Sequence, residues 1–309
     1  MADTLETLIA RFVRDLEVRN YSARYIGELP YTLKIFERYL GERQMTEVER
    51  VTTAFLNDFQ HWLFYQPVKT GGPRSVSSQN RTLGAVKTFF KFLKRDGYLA
   101  HDPAAALEYG REPDALPRSV LTPQEAKKII ESIDTSTARG YRDRTIMEVF
   151  YSTGIRRNEL LGLTVADVNL EEELLRINRG KGGKDRVVPL SGVACKFLET
   201  YIKGVRPEWA AKTGTDRLFL SWRGRPLDGN TLRLLVKAHA QRARVKKRMT
   251  CHVWRHTCAT HLLKNNANLR HVQEILGHRL LSTTERYLHL TITDLKEAHR
   301  KFHPRERSQ

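Results

Sequence analysis

Cysteine is scarce in this chain. Cys195, Cys251 and Cys258 are three among 309 residues, an odd number at spacings that match no disulfide framework. Their scarcity argues against a stapled secreted domain and leads us to expect a reducing, cytoplasmic setting. No apolar run approaches the roughly 18 residues a membrane span needs. Met1-Ala2-Asp3 opens no signal-peptide pattern, and no membrane role is expected. Acid is short as well, with 35 Asp and Glu against 53 Lys and Arg. No carboxylates cluster near the histidines in the manner of a two-metal nuclease; Asp185 and Glu285 belong to no ligand pattern. Gly180-Lys181-Gly182-Gly183-Lys184 is glycine-rich but lacks the spacing of a nucleotide-binding P-loop. Internal repeats and low-complexity tracts are absent from the sequence. We therefore expect neither a metal nor a cofactor.

What is present begins with charge. The net charge is +18 and the isoelectric point is near 10.0. A polyanionic partner accounts for this economically, because a cationic groove releases counterions from a nucleic-acid backbone. Apolar residues make up 40% of the chain and the mean hydropathy is -0.51. This length accommodates two domains, each with its own core.

Helical spacing recurs over residues 4–19, with Leu5, Leu8, Phe12 and Leu16 on one face. A second helix is predicted from the N-cap candidate Ser22 to about Leu40, kinked or broken at Pro30. A third covers Thr52 to Tyr65, and a fourth runs from Val76 to Lys94 with Gly97 as its stop. Pro103, Pro113 and Pro117 mark a linker. We expect an all-helical domain over 1–110, a linker over 111–121 and a second domain over 122–309. Thr122-Pro123-Gln124-Glu125 reads as a capping box that opens the second domain. Helices follow at Pro123 to Ser132 and Arg139 to Ser152, and a short one begins near Arg156. Leu174–Ile177 and Arg186–Leu190 flank the glycine-rich turn as a β-hairpin, and a third strand is expected at Arg217–Ser221. From Asp228 on, the pattern is helical, and it ends in a short helix carrying Leu290, Ile292, Leu295 and Ala298.

The chemistry-bearing residues crowd the second half. Cys251-His252-Val253-Trp254-Arg255-His256, Leu276-Gly277-His278 and Tyr287 follow one another there. Upstream lie Thr153-Gly154-Ile155-Arg156 and the lysines of the turn. Phosphoryl transfer needs a nucleophile, a proton for the leaving oxygen and cations on the non-bridging oxygens. Arginine can supply the last without a metal, because its planar fork matches two phosphate oxygens and stays charged. Taken singly, each residue has a plainer reading. An isolated tyrosine usually packs, a hairpin lysine is usually solvated, and Trp254, His256 and Leu262 read as packing residues.

In register, the strings point further. Thr153-Gly154-Ile155-Arg156-x-x-Glu159-Leu160, Gly180-Lys181-Gly182-x-Lys184-x-Arg186-x-x-Pro189-Leu190, His252-x-x-Arg255-His256, Leu276-Gly277-His278 and Tyr287 resemble the tyrosine recombinase, or phage integrase, family, and most nearly its Xer-type members. Asn80-Arg81-x-Leu83-x-Ala85-Val86-Lys87 resembles, more weakly, that family's N-terminal core-binding domain. The resemblance implies an all-α, SAM-like N-terminal domain and a mainly-α catalytic domain with a small antiparallel sheet. It implies site-specific DNA cutting and rejoining through a 3′-phosphotyrosine and a Holliday junction, without metal or ATP.

By the same resemblance, Arg156 and Arg255 grip the scissile phosphate, His252 and His278 donate to it, Lys181 is the general acid, Tyr287 attacks, and Glu159 orients Arg156. Candidate DNA contacts are Arg81, Lys87, Lys184, Arg186, Arg233, Lys237, Lys246, Lys247 and Arg248. The expected partners are double-stranded DNA and further copies of the chain, a tetramer in synapsis, with a second related recombinase left open. A mobile-element integrase, a type IB topoisomerase, a metal-dependent nuclease and a catalytically silent DNA-binding protein are the competing readings. Pro30 within a helix that is usually continuous, the spacer Gly71-Gly72-Pro73 and about one extra residue between Arg156 and Lys181 depart from the family's pattern and bear on its loop geometry.

Overall fold

The computed structural model describes residues 4–67, 71–112, 120–178 and 185–277. The chain divides into two compact units, Met1–Ala115 and Leu116–Gln309.

The first unit is built from four helices: α1 (Leu5–Val18), α2 (Ala23–Glu42), α3 (Thr53–Tyr65) and α4 (Val76–Arg95). Each starts on a Ser or Thr whose hydroxyl accepts a backbone N–H three residues on: Thr4, Ser22, Thr52 and Ser75. Such caps satisfy donors that the first helical turn leaves open. An aromatic core joins the helices. Phe12 lies 5.6 Å from Phe89 and 5.2 Å from Phe92, and Phe36 lies 5.0 Å from Phe59 and 5.8 Å from Phe90, measured between ring centroids.

Of the kink or break expected at Pro30, the break does not occur, for α2 runs on past it. The proline forfeits one backbone donor, while Leu29, Leu33 and Phe36 on the inner face are fully packed and hold the helix together. Past α4, Gly97 takes a left-handed φ of 76°. The strand-free segment that follows is fastened back onto α4. Asn80 and Gly110 exchange two hydrogen bonds of 2.8 and 2.9 Å, and the Lys87 ammonium donates to the carbonyls of Ala105 and Leu107.

The second unit opens with α5 (Pro123–Glu131), whose capping box is complete, then α6 (Ala138–Thr153) and the short α7 (Arg157–Gly162). The sheet has three antiparallel strands in the order β1 (Val168–Asn169), β2 (Leu174–Ile177), β3 (Arg186–Pro189). Ile177 pairs with Arg186 and Leu174 with Pro189. The expected hairpin is therefore present at its strands.

The third strand is elsewhere than predicted. Leu218, Phe219 and Leu220 are buried but make only single bridges, Thr164 with Arg217 and Leu220 with Pro226. The chain turns back at once over Ser221–Gly224, and Pro226 has no N–H to extend a ladder.

One helical stretch escapes the periodicity argument: α8 (Gly192–Thr200), a π-helical turn over Tyr201–Val205, and α9 (Arg206–Ala210). The unit continues through α10 (Gly229–Arg242), α11 (Cys251–Lys264) and α12 (Leu269–Leu276). Trp254 is fully buried and lies 5.9 Å from Tyr151, the core position its sequence context suggested. Helix α11 also anchors the start of this unit. Thr257 Oγ1 accepts from the Leu121 N–H, and His261 Nε2 donates to the Leu121 carbonyl. A carbonyl can only accept, and burial holds the His261 imidazole below its ordinary pKa, so its Nδ1 is left to accept from the Tyr151 hydroxyl at 2.9 Å. The predicted helix at Leu290–Ala298 lies outside the described residues.

Candidate functional site

Arg156 and Arg255 come from distant parts of the sequence and meet at the end of one helix. Helix α6 stops at Gly154, which turns left-handed with φ 59° and sends the chain into α7 with Arg156 as its N-cap residue. A Cβ at Gly154 would stand 2.9 Å from Leu276 Cδ2 and 3.2 Å from Cys258 Sγ, so only glycine lets α6 pass this close to α11 and α12. Arg255, three residues after His252 on α11, is 4% exposed. Its guanidinium donates to the Gly154 carbonyl at 2.8 Å and the Leu276 carbonyl at 2.6 Å. Arg156 donates from Nη2 to the Gly277 carbonyl at 3.2 Å. His252 is exposed, one turn before the buried Arg255.

Glu159 ties this arrangement together. Its carboxylate accepts from the Arg156 backbone N–H at 2.7 Å and from Arg156 Nη1 at 2.7 Å. It also accepts both prongs of Arg186, at 3.0 and 2.8 Å. Burial alone would push the Glu159 carboxyl up, but the hydrogen bonds and charge of Arg186 and Arg156 outweigh it and hold the pKa at about 2. Arg186 reaches on with Nε to the Ile275 carbonyl at 3.0 Å. Three successive carbonyls at the end of α12, those of Ile275, Leu276 and Gly277, thus each accept from a different arginine: Arg186, Arg255 and Arg156. The negative end of a helix favours cations there.

Gly277 caps α12 in a left-handed conformation with φ 64°. The structure therefore brings Arg156, Glu159, Arg186 and Arg255 together around one point; Lys181, Lys184, His278 and Tyr287 lie outside the described residues. Among the described residues no three His, Cys, Asp or Glu side chains converge as a metal site. Cys258 and Cys251 are thiols in apolar surroundings, which push their pKa values up to about 12 and 11.

The remaining basic candidates fall into two groups. Arg81, Arg233, Lys237, Lys246 and Arg248 are exposed. The last four, with Arg244 and Lys247, line an open groove of about 600 Å³ beside α10. Arg244, at a left-handed φ of 55°, joins that wall although the sequence argument does not single it out. Lys87, Lys247 and Arg186 are only partly exposed and donate to protein partners, while Arg233, though exposed, also donates to Asn230 Oδ1 at 2.8 Å. Lys247 donates to Glu125 and to the Val120 carbonyl at 2.7 Å. Charge along a chain says nothing about which carbonyl a side chain reaches, so no sequence signal separates the two groups.

The second unit is thus mainly helical with a small antiparallel sheet, and it gathers Arg156, Arg186 and Arg255 at the end of α12, as the family resemblance leads us to expect for the first and last of them. Comparison with known proteins agrees. Residues 119–293 match the phage integrase family model, and residues 9–97 match the phage integrase N-terminal SAM-like domain. Tyrosine recombinase XerD of Staphylococcus aureus strain Mu50 is 34% identical over 302 residues, covering 97% of this chain and 100% of the relative. The XerD of Staphylococcus haemolyticus is 35% identical over the same length and with the same coverage. Among solved structures, the XerA recombinase is 28% identical with a TM-score of 0.54, covering 96% of this chain and 98% of its own. The XerH recombinase bound to palindromic difH substrate shares the fold at a TM-score of 0.71 and 24% identity, covering 91% and 81%. The chain belongs to the phage integrase family and is a tyrosine site-specific recombinase.

Proposed function

We propose that this recombinase cuts and rejoins double-stranded DNA through a 3′-phosphotyrosine at Tyr287. The carrying observation is the meeting of Arg156 and Arg255 on the last carbonyls of α12, one residue before His278. Two guanidiniums fixed at one point can grip the two non-bridging oxygens of a phosphodiester from different sides. In this reading the Tyr287 oxygen bonds to phosphorus as the bond to the 5′ oxygen breaks. Lys181 gives that oxygen its proton, and His252 takes the proton of the phenol. His278 donates to the developing oxyanion. A free tyrosine has a pKa of about 10, so cations and hydrogen bonds must stabilise its anion before it attacks at neutral pH. The ester stores the bond energy, and rejoining by a 5′ hydroxyl then needs no ATP.

The groove beside α10, with Arg233, Lys237, Lys246 and Arg248, fits a phosphate backbone. Relatives of this fold have been solved as a lambda integrase dimer on a COC′ core site and a lambda integrase tetramer on a Holliday junction. We extend both features to this chain: exchange within a tetramer, through a Holliday junction. The test is a covalent trap. Protein and its Tyr287→Phe variant are incubated with fragmented host DNA in excess chelator and denatured, and the DNA that stays attached is sequenced. Attachment by wild type alone supports the reading, and the captured junctions give the target site. Attachment only when a divalent metal is restored, or equal attachment by Tyr287→Phe, would overturn it.

A further inference from the structure

Arg186 lies at the base of the hairpin and has no place in the mechanism above. Its partners are specific: both oxygens of Glu159 and the Ile275 carbonyl, with a side chain only 13% exposed. It faces the cap of α12 so closely that a Cβ on Gly277 would stand 3.0 Å from its Cδ and Nε. Three of its five N–H donors, one on each nitrogen, are engaged within the protein, so its position is fixed by internal partners.

Its role follows from counting charge. Glu159 is an ionised, buried carboxylate whose 2.7 Å bond to Arg156 would, in a simple pair, cancel the charge that Arg156 brings to the phosphate. Arg186 bonds the same carboxylate through both prongs at 3.0 and 2.8 Å. The trio of Arg156, Glu159 and Arg186 then sums to one positive charge instead of none. We infer that Arg186 is a positioning residue that occupies Glu159 and so keeps the phosphate-gripping Arg156 effectively cationic, while tying the hairpin strand β3 to the end of α12. This rests on the functional reading above, since it gives Arg156 a phosphate to hold.

Four proteins test it: wild type, Arg186→Gln, Glu159→Gln and the double variant, with Arg186→Lys as the conservative control. In metal sites, loss of a partner that orients a primary ligand typically costs ~10–100-fold, and the same scale is taken here. First-strand cleavage at saturating DNA by Arg186→Gln should slow by about that factor, with DNA affinity, set mostly by contacts elsewhere, falling less than the rate. Arg186→Lys should cleave faster than Arg186→Gln. The decisive protein is the double variant. Replacing the uncompensated carboxylate by its neutral isostere should restore rate toward wild type, because Arg156 is again uncancelled. A clasp that only held strands together would give a double variant as slow as Arg186→Gln or slower. A direct phosphate contact would leave the double variant as weak in DNA and phosphate binding as Arg186→Gln, because Glu159→Gln cannot replace a lost contact. Either result overturns the inference.

A second readout does not depend on cleavage. The rise in thermal midpoint on adding inorganic phosphate should be largest for wild type, small for Arg186→Gln and regained in the double variant. Should wild type form no Tyr287 adduct, the function proposed above fails, yet the order of the phosphate shifts still decides for or against the role of Arg186.

Discussion

At the scale of single residues, the site is organised by one acid among many bases. Glu159 holds Arg156 and Arg186 at once, and its carboxyl sits at about 2 in the folded chain against an ordinary 4.5. A group whose folded pKa is depressed stabilises the fold fully above the unfolded value. That contribution, about 3 kcal/mol for such a gap, is lost as pH falls from 4.5 through about 2. Glu159→Gln should therefore flatten the fall of stability over that window, measured as the urea midpoint at successive pH values. Parallel curves for wild type and variant would sink the assignment. Arg156 and Arg255 were legible in the sequence because fixed motif strings surround them. The bonds of Arg186 and Lys87 were not. Their partners are mostly backbone carbonyls, at Ile275, Ala105 and Leu107, and a carbonyl has no letter in the sequence.

At the scale of elements, local rules were read well where they depend on a few adjacent residues. The capping box at Thr122 and Glu125, the Gly97 stop and the hairpin pairing of Leu174–Ile177 with Arg186–Pro189 all stand. Rules that tertiary packing can override failed. Leu218–Leu220 has the apolar character of a strand but meets its neighbours one bridge at a time, and α2 crosses Pro30 on the strength of its buried face. That crossing has a measurable cost. Pro30→Ala would restore the missing backbone donor and remove the ring's pressure on the preceding turn. It should stabilise the first unit by about 1–2 kcal/mol, less than the full ~3 kcal/mol propensity gap because proline also restricts the unfolded chain. Chemical denaturation followed through a reporter in that unit would check it, and a lower midpoint would show that α2 relies on the proline.

At the scale of the whole molecule, a net charge of +18 makes binding to a polyanion strongly salt-dependent, but not every cation contributes equally. Exposed lysines and arginines release counterions, whereas one already paired has little left to give. Lys246→Gln and Arg248→Gln should each reduce the slope of log affinity against log salt by about one. Lys247→Gln should leave that slope nearly unchanged and instead lower stability, because it strips Glu125 and the Val120 carbonyl of their donor. Filter binding of a DNA duplex across a salt series distinguishes these outcomes. An equal loss of slope in all three would show that Lys247 leaves Glu125 for DNA. The sequence disclosed the total charge and the division into a helical N-terminal half and a mixed second half. It could not disclose how that charge is shared between solvent and internal partners, because Lys246 and Arg248 are exposed while Lys247 between them donates to Glu125 and the Val120 carbonyl.

The three arginines at the end of α12 donate to acceptors that belong to the main chain, and no substitution at an acceptor position deletes a carbonyl. Genetic drift can thus reach this junction only through its donors and its turn. In a saturation library scored for recombination, position 275 should accept Val, Leu and Met, while Arg156, Arg255 and Gly277 admit almost nothing. The site would keep its geometry while the helix beneath it changes its side chains.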